Sequence, residues 1–189
     1  MANHSTTTSP LQLVAPSSHG RTLVNWRQRG IAAVRIMFGL IWGVAAWLKW
    51  QPAFQNNFLD QVSGARDGQP ALVQGWISFW VGLIGANPLL FARIEATTES
   101  AIALCLIFGL FSNLTYIVGI LLSLGIWSTA EGFGGPYVAG QSTDVGTALP
   151  YAVIFAILLA IAAGRYYSLD SWLSPKLGRL RFLATSSTR

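Results

Sequence analysis

Four ionisable side chains, Arg35, Arg93, Glu95 and Glu99, interrupt stretches of sequence otherwise almost free of charge. Placing such a group in a membrane-crossing helix costs about 2.5–3.5 kcal/mol on insertion scales, so each invites a chemical role. Arg35 precedes Lys49, which closes the first apolar stretch, by 14 residues, or about 21 Å of helix. Glu99 follows Pro88, which opens the second, by 11 residues, or about 16 Å. If the two stretches are neighbouring helices, Arg35 and Glu99 form a buried ion pair near mid-membrane. Such a pair either fixes helix packing and register or lines a polar cavity for a ligand headgroup, an anion or a proton.

Glu95 and Glu99 are one helical turn apart and share a face. Two carboxylates so placed repel each other unless a cation intervenes, and Lys49 and Arg93 are the candidates. The cluster could relay protons toward an outward-facing site. The plainer reading is that Arg93 and Glu95 snorkel to the interface. The Gly-rich segment Glu131–Gly146 lacks the GxxxxGK[ST] phosphate-loop pattern. Its Ser142-Thr143-Asp144 reads as a helix N-cap, and the competing role for Asp144 is an outward-facing ligand site with Tyr137 and Gln141. Cys105 lies among Leu104, Leu106 and Ile107, where an inert packing role is expected.

The chain of 189 residues is 52% hydrophobic and 10% charged, with a mean hydropathy of +0.49. Soluble domains carry roughly 25% charge, so this composition belongs to an integral membrane protein. One Cys cannot form an internal disulfide, a thiolate zinc site or an iron–sulfur cluster. The two His, His4 and His19, both lie in a Ser/Thr/Pro-rich tail, which leaves no buried imidazole pair for haem. No metal site is expected.

These residues must be positioned by helices. Each span needs about 20 apolar residues to cross roughly 30 Å of hydrocarbon. Four can be drawn, at 31–48, 88–110, 114–130 and 145–164, giving an all-α, four-transmembrane-helix bundle over 30–167. Residues 1–29 form a disordered tail and 168–189 a basic tail. The first span is too long for the apolar core of a signal peptide and lacks a small-x-small cleavage site. Asn87-Pro88 is an N-cap followed by proline at the first helical position, and Pro150 is placed to kink the fourth span. The long loop 50–87 contains the apolar segment Ala71–Gly85, too short for an ordinary span. Gln74, Ser78 and Gly82 form a stripe on it, which reads as an amphipathic, interfacial helix, with a short fifth span as the rival. Phe54, Phe58 and Val62 share a face in the preceding piece. Gly39, Gly43, Gly119 and Gly125 permit close helix approach.

The net charge of +5 resolves into a topology signal. Before the first span and after the fourth lie eight cations and one acid, Asp170, whereas the two opposite loops hold two cations and four acids. By the positive-inside rule both termini are cytoplasmic. The basic balance therefore marks an inner rim, and no nucleic-acid partner is expected.

The pattern as a whole resembles the DoxX/DoxD-like family. It comprises Arg35, Gly39 and Lys49, then Glu99 and Gly109-Leu110, Gly125-Ile126-Trp127, Thr143-Asp144-Val145-Gly146, and Arg165-Tyr-Tyr-Ser-Leu-Asp170. The resemblance covers about residues 29–172, and the long first loop favours the DoxD-like branch. It implies a multi-pass protein of a bacterial plasma membrane that carries electrons from thiosulfate to a membrane quinone with a partner subunit. On that reading Arg35 and Glu99 form the polar centre, with Lys49, Glu95 and Asp144 on the outer side. Trp42 and Trp127 are the quinone-side aromatics. The alternatives are a non-catalytic accessory subunit, docking on a larger respiratory or photosynthetic complex through its aromatic first loop, and, less favoured without an inverted repeat, a small transporter.

Overall fold

The computed structural model describes residues 18–138 and 144–185, and every regular element among them is helical. The long helices are α1 (Ser18–Lys49), then α4 (Ala71–Gly85), α5 (Pro88–Phe108), α6 (Ser112–Ser128) and α7 (Ala148–Ala160). The short α2 (Pro52–Asn56) and α3 (Phe58–Gly64) fill the first loop, and α8 (Asp170–Leu173) follows α7. The N-terminal tail and the Gln141-Ser142-Thr143 segment lie outside the described residues, in part or whole.

Two helix pairs, α1 with α5 and α6 with α7, make the main body. On α1 the buried residues are Ala32, Arg35, Phe38, Gly39, Trp42 and Ala46; on α5 they are Ala92, Ala96, Glu99, Ile102, Ala103 and Leu106. Spacings of three and four residues make each set one helix face. Gly39 allows contact: a Cβ there would lie 2.9 Å from Leu106 Cβ and 3.0 Å from the Ile107 backbone N. Gly119 on α6 likewise receives the ring of Phe155 from α7, with no room for a methyl. An aromatic layer joins the pairs, with Phe155 at 4.9 Å from Phe38 and 5.2 Å from Trp42 between ring centroids. Such aromatic contacts contribute about 0.5–1.5 kcal/mol each beyond area burial.

Beside its apolar core the body buries several polar groups and exposes many large apolar side chains. Arg35, Glu99, Ser123 and Asp170 are buried, whereas Met37, Val44, Leu104, Leu121 and Ile157 are exposed. Among the described residues one helix, Trp26–Lys49 within α1, is long and apolar enough to cross a membrane alone, and it supports a membrane location. The pair α4 and α5 passes the same test jointly but is bent by 101° at its junction. With 17 and 13 residues, α6 and α7 extend only about 26 and 20 Å.

Several boundaries follow local chemistry. Asn87 accepts a bond from Leu90 N at 3.1 Å and Pro88 opens α5, as the sequence indicates. Gly109, left-handed at φ 66°, closes it. The fourth helix is shorter than the expected 145–164, since it begins after Thr147 and gives way beyond Ala160 to a turn in which Ala162 is left-handed. Pro150 falls in its first turn, where no intrahelical N–H is needed, so the expected kink is absent. In α4, whose bounds match the apolar segment, Ile77 and Ile84 bury against Phe58, Val62 and Ala92. The Phe58–Val62 face thus turns inward onto α4.

Candidate functional site

Arg35 does not pair with Glu99. Its guanidinium is fully buried and donates to four backbone carbonyls. Nε reaches Leu106 O at 3.0 Å, Nη1 reaches Ala163 O at 3.3 Å and Tyr166 O at 3.1 Å, and Nη2 reaches Tyr167 O at 2.9 Å. Leu106 lies in the last turn of α5, and the other three follow the end of α7. Helix C-termini present carbonyls with no intrahelical donor and carry the negative end of the helix dipole. One planar cation therefore ties the end of α5 to the segment that follows α7. Asp170, also fully buried, does the converse at the start of α6, accepting from Ser112 N at 2.8 Å and Thr185 N at 3.1 Å. Sequence reasoning counted Asp170 as the one acid on the basic flank and as the last residue of the Arg165–Asp170 element of the family resemblance, without a role at a helix start.

The misplacement of Arg35 has a geometric cause. Equal depth for Lys49 and Pro88 was the assumption behind the expected pair. In the structure Lys49 is level with Glu95, so α5 begins seven residues, or about 10 Å, farther out. Along the antiparallel pair this slides Arg35 past Glu99 to the end of α5.

Glu99 belongs instead to a second polar centre. Lys49 Nζ bonds the Glu95 carboxylate, stands 3.9 Å from Glu99 Oε1, and lies 4.2 Å from the centroid of the Phe54 ring. The intervening cation between the two carboxylates is therefore Lys49; Arg93 is exposed, consistent with snorkelling. Glu95 is only 14% exposed and is paired with Lys49.

Beside this triad is a cavity of about 240 Å³ between α1, α5, α6 and the start of α7. Among the described residues its polar lining comes from Trp42, Lys49, Glu99, Ser123, Glu131, Thr147 and Tyr151. Three atoms of that lining are buried without a hydrogen-bond partner: Trp42 Nε1, Ser123 Oγ and Glu99 Oε2. Leaving a buried polar group unmatched costs about 1–3 kcal/mol, and three residues of this one lining, Trp42, Ser123 and Glu99, each carry such an atom. Glu131 builds the outer wall. Its carboxylate accepts from the Thr147 hydroxyl, and from Thr147 N at 3.2 Å and Ala148 N at 3.0 Å, capping α7. Ser123, Glu131 and Tyr151 were not singled out from sequence; the cue for Glu131 was an acid beside a glycine-rich turn.

The cluster holds three carboxylates, Glu95, Glu99 and Glu131, against one ammonium. A small anion would be repelled, whereas a neutral molecule with carbonyl or hydroxyl groups finds both donors and acceptors. The volume lies just below the roughly 300–1,000 Å³ typical of drug-sized ligands, which suits a headgroup.

The other sequence candidates lie elsewhere. Trp127 donates to Val145 O at 2.8 Å and meets Phe133 edge to face at 5.1 Å, anchoring the loop between α6 and α7, and is not among the residues that line the cavity. Asp144 is exposed and accepts from Gly146 N at 2.8 Å in a local turn. It does not cap α7, because Glu131 holds that position. Tyr137 is exposed and bonds Phe133 O at 2.6 Å. Cys105 is half-buried on α5.

Comparison of the chain with protein-family models, with curated proteins and with solved structures returned no match.

Proposed function

We propose that the chain is a DoxD-like membrane subunit of a quinone-linked oxidoreductase and that the quinone headgroup occupies the cavity between α1, α5, α6 and α7. In this reading α1, α5, α6 and α7 cross a bacterial plasma membrane and both termini face the cytoplasm. The observation that carries it is that three residues lining one cavity, Trp42, Ser123 and Glu99, each hold a buried polar atom without a partner.

In this reading Trp42 Nε1 and Ser123 Oγ donate to the carbonyl oxygens of a neutral ring. Reduction of a quinone to a quinol takes up two electrons and two protons. On the same reading the Glu99 carboxylate at the cavity wall takes up protons from water and passes them to the quinone, while the Lys49 ammonium stays between Glu95 and Glu99. Glu131, nearer the outer loop, extends that set of carboxylates toward water. The donor implied by the resemblance, thiosulfate, is a doubly charged anion, and the excess of carboxylates disfavours it here. Its oxidation belongs on a partner subunit, which delivers the electrons.

An accessory role is the second reading, favoured by one observation. On α4 the residues Leu72, Trp76, Phe79 and Leu83 are exposed together, a surface fitted to docking on a larger complex. Protein purified in mild detergent separates the two. Bound quinone, and thiosulfate-dependent reduction of a quinone analogue that is lost in Glu99→Gln once the partner is supplied, support the oxidoreductase. Stable association with a large complex, without quinone binding, replaces it with the accessory role.

A further inference from the structure

A second cavity, about 230 Å³, lies on the other side of the Lys49–Glu95 pair. It runs between α3, α4, α5 and α6 and is lined mainly by apolar side chains, among them Phe58, Trp80, Ile84, Phe91 and Leu122, with Glu95 as its one ionisable group. The two cavities share a wall. Ile126 lines both, Glu95 lines the apolar one, Lys49 lines the polar one, and the side chains of Glu95 and Lys49 are bonded to each other. That wall has a built-in alternative, because Lys49 Nζ also stands 3.9 Å from Glu99 Oε1 on the polar side. Exchanging Glu95 for Glu99, one turn along α5, keeps the ammonium paired while releasing the barrier.

We infer that the apolar cavity holds the hydrocarbon tail of the ligand whose headgroup sits in the polar one, and that Lys49, by changing partner from Glu95 to Glu99, opens the passage between them. This rests on the quinone reading of the polar cavity. The committed occupant is an isoprenoid or alkyl chain, because the lining is mainly apolar, with Glu95, Thr98, Thr129 and the unpartnered Trp80 Nε1 its polar exceptions, and it adjoins the headgroup site across the Lys49–Glu95 wall. A tail drawn from lipid gains little from apolar burial, since lipid chains are equally apolar. The groove's contribution is to admit the chain and hold its direction, and Lys49 is a positioning residue.

Gly125 lines the apolar cavity, and a Cβ built there meets nothing within 4 Å, so Gly125→Phe can fill the groove without a backbone clash. Binding of a tailless quinone and of the same ring carrying a decyl tail is measured on the full chain in lipid nanodiscs, by quenching of tryptophan fluorescence. Thermal unfolding confirms that each variant is folded. The expected result is that Gly125→Phe weakens the tailed quinone at least tenfold and leaves the tailless one within twofold, while Glu95→Gln accelerates entry and exit of the tailed quinone. Equal effects on both quinones, or none on either, overturn the tail site while leaving the headgroup site standing. Absence of binding by either quinone to the unaltered chain overturns both.

Discussion

Replacing Arg35 with methionine tests whether this arginine holds the bundle together or serves the ligand. The guanidinium makes four bonds to carbonyls, at 2.9 to 3.3 Å. Bonds from a charged donor contribute about 1.5–3 kcal/mol each, a gross gain of about 6–12 kcal/mol. Burying the guanidinium costs several kcal/mol of that. Methionine has no donor to offer, and unlike a side-chain partner the four carbonyls cannot be removed to compensate. A net loss of about 3–5 kcal/mol is expected, the range for breaking a buried ionic interaction. At about 2–4 °C per kcal/mol for a chain of this size, thermal unfolding in detergent should move down by roughly 10 °C. Arg35→Lys keeps the charge at the helix ends but concentrates its donors at one nitrogen, which cannot reach all the carbonyls, so it should fall between. Because Arg35 does not line the polar cavity, folded Arg35→Met should bind a quinone analogue with unaltered affinity. A variant that unfolds within 2 °C of the parent, or that stays folded and loses the ligand, refutes the assignment of Arg35 to helix-end tying.

Other substitutions probe the remaining contacts. Glu131→Gln should lose about 1–2 kcal/mol, within the range for caps, and increase hydrogen exchange at Thr147 and Ala148; Asp144→Ala should change stability by less than about 0.5 kcal/mol. Gly119→Val forces a side chain against the Phe155 ring and should destabilise by about 1–3 kcal/mol, read by thermal unfolding. Lys49→Met leaves Glu95 and Glu99 without their cation and should cost about 3–5 kcal/mol. Adding Glu95→Gln to that variant should recover part of the loss, whereas adding Arg93→Met should recover none.

What was legible in the sequence divides by the range of the interaction. The Asn87-Pro88 start of α5, the limits of α4 and the end of α1 at Lys49 depend on neighbouring residues, and the local pattern shows them. The shared face of Glu95 and Glu99 follows from helical period, and the need for a cation between them pointed to Lys49 or Arg93. The partner of Arg35 depends instead on how far α5 slides along α1. That offset is set by the contact of Gly39 with Leu106 and Ile107 and by the salt bridge at Lys49, and neither can be read from one strand of sequence. Asp144 illustrates the same limit. It had cap chemistry at the right spacing, but Glu131, a carboxylate 16 residues before Thr147, reaches the helix end through the loop. Trp42 and Trp127 occupy similar sequence contexts, GLIWG and LGIWS, yet one borders the polar cavity and the other holds the outer loop.

The most direct test is titration of the purified chain with a tailless quinone analogue, comparing Trp42→Phe with Trp127→Phe. Loss of one neutral hydrogen bond is worth about 0.5–1.5 kcal/mol, so Trp42→Phe should weaken saturable one-to-one binding by about 2- to 13-fold, Trp127→Phe should leave it unchanged, and added thiosulfate should not compete. Binding that is not saturable, or that is equally weakened by either substitution, contradicts the placement of the headgroup among Trp42, Ser123 and Glu99.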